Sequence, residues 1–241
     1  PAVSDDVDRY IRSEMERQNN PGLALAVVKD GKISKAKGYG FANLEHRVPV
    51  TPETIFQSAS VGKQFTAACI LLLAEEGRLN LDDPITRFLT NGPPSWKEIT
   101  IRHLLTHISG IPDYESKELI NLRQDYAEEE LVKFAAQLPA DFAPGRDWSY
   151  RNTAYVLLGV IIHKASGKFY GDYLQEKIFQ PLKMTTARVI SEADIIPHRA
   201  AGYELIGGAQ KNQKWVSPTM NTTADGSLYL TVLDLSKWDA G

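Results

Sequence analysis

Cysteine is nearly absent from this chain. A single one, Cys69, occurs in 241 residues, so no disulfide can form within the chain. Cys69 falls on the apolar side of a helical pattern and reads as a buried structural thiol. A surplus of positive charge is also missing. The 27 Lys and Arg against 30 Asp and Glu leave a net charge of −3, which gives a nucleic-acid or anionic-membrane partner no support. No apolar run approaches the length of a membrane span, so no transmembrane segment is expected. The first residues carry neither a basic n-region nor an apolar h-region, so a signal peptide is absent or already removed. There is no phosphate-cradling glycine loop, internal repeat, low-complexity tract or linker.

What remains is an ordinary globular composition, 43% hydrophobic and 24% charged, suited to one large domain or two small ones. From Asp5 to Asn19, Val7, Tyr10, Ile11 and Met15 share one helical face, with Ser4 as N-cap and Asn20-Pro21 as stop. Gly22 to Val28 is a nearly continuous apolar run. Asp30-Gly31 and a second extended segment, Ile33 to Tyr39, complete a β-hairpin. Its first strand, apolar on both faces, predicts burial on both sides. Further helices are expected from Arg78 with Pro84 in the first turn, from Ile101 to Thr106 capped by Thr100, and over Glu128 to Leu138. A buried helix over Thr153 to Ala165 closes at Gly167, and another runs from Tyr170 to Phe179. Ala201 to Leu205 and Gln213 to Val216 read as strands around Gly207-Gly208. Gly226 to Leu230 is a short extended run, and Thr231 caps a last helix from Val232 to Trp238.

One stretch organises the rest. After a short extended entry at Ile55-Phe56, a helical pattern starts at Ser60 and carries Phe65, Ala68, Cys69, Leu72 and Leu73 as far as Gly77. Lys63 lies one turn beyond Ser60 on the same face, which brings an amine within hydrogen-bond reach of a hydroxyl. A serine hydroxyl is a weak nucleophile until a neighbouring base takes its proton, and an amine shielded from water can be that base. The spacing alone is weak evidence, since Ser34 and Lys35-Ala36-Lys37 repeat it in a strand, where residues three apart face opposite ways. On the residues alone, Ser60 and Lys63 read equally well as a helix cap and a surface lysine.

Three stretches taken together are more specific. Ser60-Val61-Gly62-Lys63 is followed by Leu104-Leu105-Thr106-His107-Ile108-Ser109-Gly110-Ile111-Pro112-Asp113-Tyr114. Then comes Pro144-Gly145-Arg146-Asp147-Trp148-Ser149-Tyr150-Arg151-Asn152-Thr153-Ala154-Tyr155. The chain resembles, from its first helix to its last residue, the serine β-lactamase and penicillin-binding protein superfamily, in the class C branch with the related DD-peptidases and esterases. The resemblance implies an α+β fold of the multi-domain, β-lactamase/transpeptidase-like type. In that fold a helical subdomain packs on an α/β subdomain with an antiparallel sheet. About residues 1–57 would open the α/β subdomain, about 58–200 would form the mainly helical subdomain, and about 201–241 would return toward the α/β part.

The family's S-x-x-K motif falls on Ser60 and Lys63, and its Y-x-N motif on Tyr150 and Asn152. The resemblance implies that Ser60 attacks a carbonyl to form an acyl-enzyme, that Lys63 and Tyr150 share the proton traffic, and that Asn152 holds the substrate amide and the lysine. Which of Lys63 and Tyr150 is the acylation base stays open. The Ser60 N–H would supply one oxyanion donor. Asn152 also suits a helix N-cap, and Arg151 is expected to point to solvent.

The family's third motif, a Lys-Thr-Gly, His-Thr-Gly or similar triad on an inner strand, is missing. Ile206-Gly207-Gly208 comes too early to replace it. The expectation is therefore an incomplete catalytic domain lacking its C-terminal strands, completed by a further C-terminal segment or another chain. Ser58-Ala59-Ser60-Val61-Gly62 lacks the first glycine of an esterase elbow. His103 and His107 are four apart, as metal ligands can be, but no third ligand is tied to them, and no metal or cofactor is expected. His46, His163 and His198 are isolated, and Asn221-Thr222-Thr223 matches a glycosylation acceptor by chance.

The reading is a serine acyl hydrolase acting on a β-lactam, a D-Ala-D-Ala peptide or a small ester. A penicillin-binding sensor or non-catalytic binding domain of the same fold is the alternative. The resemblance implies a periplasmic or extracellular address.

Overall fold

Asp30 and Gly31, with φ of 51° and 69°, reverse the chain between β1 (Gly22–Lys29) and β2 (Lys32–Asn43), as expected for an Asp-Gly hairpin. A short β3 (Val48–Pro49) extends this antiparallel sheet in the order β1-β2-β3. The structure is a computed structural model that describes residues 5–114, 120–190 and 193–241. Ahead of the hairpin lies α1 (Asp6–Arg17), capped by Asp5, whose side chain accepts from the Asp8 N–H at 2.8 Å. The Ser4 cap predicted above falls outside the described residues.

The face of α1 that the periodicity marks as apolar is only partly covered: Ile11 and Met15 are half-buried. Val7 is 41% and Tyr10 65% exposed. The helix is held instead by a polar anchor. The shielded Asp8 carboxylate accepts from the Tyr39 hydroxyl at 2.6 Å and pairs with Lys35 at 2.7 Å and with Lys37, all three on β2. In the Ser34–Lys37 copy of the motif, the lysine thus has a structural role. β1 also departs from expectation. None of its residues is buried, with Val27 and Lys29 exposed and the rest half-buried, and among the described residues it hydrogen-bonds to β2 along one edge only.

A second sheet joins segments far apart in sequence. β4 (Phe56–Gln57) and β5 (Arg188–Val189) both pair antiparallel with β8 (Leu228–Leu230). The intervening hairpin of β6 (Tyr203–Ile206) and β7 (Ala209–Asn212) turns on Gly207 and Gly208, whose φ values are 58° and 82°. A two-residue turn makes pairing immediate, so β7 begins four residues before the predicted Gln213.

The helical part is built around α5 (Asn152–Ser166), in which every residue from Thr153 to Ile162 is buried. Gly167, with φ of 75°, ends it. Against it pack α2 (Lys63–Glu75), through Phe65, Cys69, Ile70 and Leu73, and α3 (Ile101–Leu105), through Ile101 and Leu104. Cys69 is fully buried, and its thiol is pushed up by burial. The remaining helices are α4 (Glu128–Gln137), α6 (Tyr170–Leu174), which continues as a wider turn to Phe179, and α7 (Val232–Ala240), capped by Thr231. Where a helix from Arg78 was predicted, Pro84 is extended and caps only a short turn, Ile85–Arg87. No helix among the described residues is long and apolar enough to cross a membrane.

Candidate active site

Ser60 lies between the second sheet and the helical core. β4 ends at Gln57, and the Ser58 N–H donates to the Leu228 carbonyl at 2.7 Å, which ties the turn to β8. The chain then winds through a tight 3-10 turn, Ala59–Gly62, before α2 begins at Lys63. Ser60 is therefore on the turn before the helix, and not in its first α-helical turn as the periodicity suggested. Ala59 has φ of 46°, a left-handed conformation that a residue with a Cβ adopts at a cost. Gly226 explains how the turn fits. A Cβ on it would lie 2.9 Å from the Ala59 carbonyl carbon.

The geometry joins the four residues singled out above. Lys63, only 6% exposed, donates to Ser60 Oγ at 3.1 Å, to Asn152 Oδ1 at 2.8 Å and to the Asp225 carbonyl. The Tyr150 hydroxyl lies 2.8 Å from Ser60 Oγ, and the Lys63 ammonium sits 5.0 Å from the Tyr150 ring centroid. Asn152 is not an N-cap. The cap position is Arg151, and Asn152 opens α5 with its amide turned to Lys63. Arg151 does not point to solvent either. It pairs with Asp141 at 2.7 Å, with 19% of its side chain exposed, and this pins the short link between Tyr150 and Asn152.

The sequence reading did not mark several residues that hold this cluster. The Asp113 carboxylate accepts from the Asn152 N–H at 2.9 Å, at the first turn of α5, where anionic acceptors are favoured. Tyr114 donates its hydroxyl to Asp225 at 2.9 Å, and Thr223 donates to the same carboxylate at 2.6 Å. The carbonyls of Thr223, Ala224 and Asp225 accept from Tyr170, Thr66 and Lys63 respectively. Three consecutive carbonyls are thus tethered to helices α2 and α6. Asp113 and Tyr114 lie inside a stretch already noted for its specificity, whereas Asp225 carries no local signal. His107 packs on Tyr150 with ring centroids 4.6 Å apart. Its imidazole is held below the usual histidine range, first by burial and then by the Lys63 charge, with Asp113 opposing.

Other candidates have ordinary roles. The Nδ1 of His103 accepts from the Thr100 N–H as part of the α3 cap. Asn221 is buried at 3% exposure and its side chain bonds to Gln57, which removes it as a glycosylation acceptor. No group of three or more metal-ligating side chains occurs among the described residues.

A serine held by both a buried lysine and a tyrosine, on a turn between a sheet and a helical core, is the constellation of the penicillin-recognising serine proteins. The chain belongs to the beta-lactamase family, whose model matches residues 7–240. It is 31% identical over 239 residues to protein flp of Staphylococcus aureus (strain N315). It is 36% identical over 198 residues to penicillin-binding protein 4* of Bacillus subtilis (strain 168), covering 78% of this chain. The chain spans about half the length of these relatives, 47% and 43% respectively. Among solved structures, the octameric penicillin-binding protein homologue from Pyrococcus abyssi superposes with a TM-score of 0.84 at 38% identity. That match covers 98% of this chain and 56% of the other. The D-amino acid amidase from Ochrobactrum anthropi SV3 gives 0.82 at 29% identity, covering 97% and 69%. The α+β fold is thus β-lactamase/transpeptidase-like.

Proposed function

We propose that this chain carries the nucleophile half of a serine acyl hydrolase that works through a Ser60 acyl-enzyme. The observation that carries the reading is the convergence of Lys63 Nζ and Tyr150 Oη on Ser60 Oγ, at 3.1 and 2.8 Å. An ammonium has three protons to give, and Ser60, Asn152 and Asp225 accept all three. With Lys63 so engaged, Tyr150 is the other group within reach of the Ser60 proton. Tyr150 is the general base. It takes the Ser60 proton as Oγ bonds to the substrate carbonyl carbon, and returns it to the leaving nitrogen or oxygen when that bond breaks. Water then adds to the acyl carbonyl, the Ser60 Oγ–acyl bond breaks, a water proton returns to Oγ, and the acid leaves. The Ser60 N–H supplies one oxyanion donor, and Asn152 also holds the substrate amide.

The substrate class is a β-lactam, a D-Ala-D-Ala peptide, a small ester or, by analogy with the structural relative, a D-amino acid amide. The reading also includes a further strand along β1, from a segment beyond these residues or from another chain. The edge of β1 that pairs with no strand among the described residues supports it, as does a groove of about 720 Å³ between Ala26 and Val28 of β1, Val61, and Val232, Leu235 and Trp238 of α7. That strand would supply the missing third motif.

The test is intact-mass spectrometry of the active protein with a fluorophosphonate, with a penicillin, and untreated. Ser60 should take the fluorophosphonate. A lasting penicillin adduct on Ser60 identifies a penicillin-binding protein or sensor, and hydrolysed drug without adduct identifies a β-lactamase. Untouched drug alongside ester or D-amino acid amide turnover identifies an esterase or amidase. If Ser60 remains unlabelled by every reagent, the hydrolase reading fails. A fully active monomer of only 26.8 kDa would remove the further strand.

A further inference from the structure

Tyr150 sits on a link with no regular secondary structure, 40% exposed, yet catalysis as proposed requires its hydroxyl to stay within hydrogen-bond distance of Ser60. One residue on another element contacts this link three times. The His107 carbonyl accepts from the Ser149 N–H at 3.0 Å. His107 Nδ1 accepts from the Arg151 N–H at 3.1 Å. Between those bonds its ring lies against the Tyr150 ring at 4.6 Å, inclined by 32°, and against Tyr155 of α5 at 5.2 Å. The residues before and after Tyr150 thus both donate to the same histidine.

His107 is the residue on which α3 ends. Its φ is 61°, the left-handed turn that closes α3, with the Ile108 N–H donating to the His103 carbonyl at 3.0 Å and the His107 N–H to the Leu104 carbonyl at 3.2 Å. This twist, immediately after α3, lets its carbonyl and its ring reach the same link.

We propose that His107 is a positioning residue for catalysis: as a neutral ring with an unprotonated Nδ1 it fixes the link carrying Tyr150, and its protonation releases that link. The proposal rests on the hydrolase reading above. The donor N–H of Arg151 demands a lone pair on Nδ1, so the ring proton belongs on Nε2. A second proton on Nδ1 would set two donors against each other and break the bond. The surroundings are charged on several sides. Lys63 of α2 disfavours the second proton and Asp113 favours it. Tyr150 and Tyr155 present their ring faces, and the Arg151 guanidinium is engaged by Asp141. Burial and Lys63 outweigh Asp113, so the ring stays neutral below the ordinary histidine value of 6.5.

The experiment compares H107N, H107G and wild type on p-nitrophenyl butyrate, with S60A as blank. Asparagine tolerates the left-handed backbone and places Oδ1 near the position of Nδ1. Glycine relieves the backbone and keeps the carbonyl bond to Ser149, but has neither acceptor nor ring. H107G should lose about 100-fold in kcat with little change in KM, as expected for a misplaced catalytic group, and H107N should recover at least tenfold of that. Wild-type kcat should fall on an acid limb below pH 6.5 that H107N lacks. Equal activity of H107G and wild type, or the same acid limb in H107N, overturns the proposal. Long-range 15N–1H NMR on histidine-labelled wild type reads the contact without turnover. The Nε2–H tautomer should dominate at pH 7, and the Arg151 amide should shift as His107 titrates. An Nδ1–H tautomer overturns the proposal even if no ester is cleaved. A wild type that neither cleaves ester nor takes a fluorophosphonate fails the hydrolase reading instead.

Discussion

Asp225 shows how much of the candidate site lies in residues that reach Ser60 only through another side chain. Its carbonyl accepts from Lys63 while its carboxylate, nearly buried at 9% exposure, accepts from Tyr114 and Thr223. The carboxylate therefore orients the peptide unit that orients the lysine. Replacing it with Ala removes the carboxylate that the Tyr114 hydroxyl donates to, at about 1–3 kcal/mol, while Thr223 turns to the Met220 carbonyl, and frees the carbonyl on Lys63. Asp225→Ala should lower the unfolding temperature and slow Ser60 labelling together, whereas Asp225→Asn, which keeps an acceptor oxygen, should do less of both. A labelling rate for Asp225→Ala equal to wild type would separate the carboxylate from the site. For the base, Tyr150→Phe should lower acylation by about 10²–10⁴-fold with unchanged unfolding. Stopped-flow acylation of that variant at the wild-type rate would return the role to Lys63.

At the scale of elements, two kinds of attachment coexist. α5 is held by apolar burial, and Leu158, with no exposed surface, should cost about 2–5 kcal/mol when cut to Ala, as fully buried leucines do. A urea midpoint within error of wild type would contradict this. α1 is held by charge. Hydrogen bonds from Lys35, Lys37 and Tyr39, in that order, keep the Asp8 carboxyl far below its ordinary value near 3.8. A depressed carboxyl stabilises the fold fully above its unfolded value and loses that contribution as pH falls through the window below it. Wild type should therefore lose stability on acidification from about pH 4 downward more steeply than Asp8→Asn, which is already weakened at neutral pH. Parallel acid-denaturation curves for the two would show that Asp8 does not anchor α1.

Across the whole molecule, the site depends on chain segments more than 150 residues apart meeting at backbone distance. Gly226 approaches Ala59 so closely that a methyl group at 2.9 Å from its carbonyl carbon must push the Ser60 turn away. Overpacking of this kind costs about 1–3 kcal/mol. Gly226→Ala should therefore slow fluorophosphonate labelling of Ser60 at least tenfold while the protein remains folded by circular dichroism. Unchanged labelling would mean the turn accommodates the methyl without moving Ser60.

The parts legible in the sequence are those that short-range physics specifies. Asp30-Gly31 demanded its hairpin, Thr100, Thr231 and Gly167 marked helix ends, and the unbroken apolar run of α5 could only be buried. Ser60, Lys63, Tyr150 and Asn152 were found because each sits in a motif of fixed spacing, and the fold brings all four together. The misreadings have a common cause. The apolar face of α1 and the doubly apolar β1 predicted burial, but burial depends on what lies opposite, and periodicity carries no record of a partner. Arg151 was expected in solvent because Asp141, ten residues earlier, gave no sign of facing it. Asp113, Tyr114 and Asp225 escaped notice for the same reason: their roles exist only where α2, α5 and the 223–226 segment converge. Local motifs determined which residues stand as candidates, and long-range packing decided how they are held, because a hydrogen bond across 160 residues leaves no pattern in either segment alone.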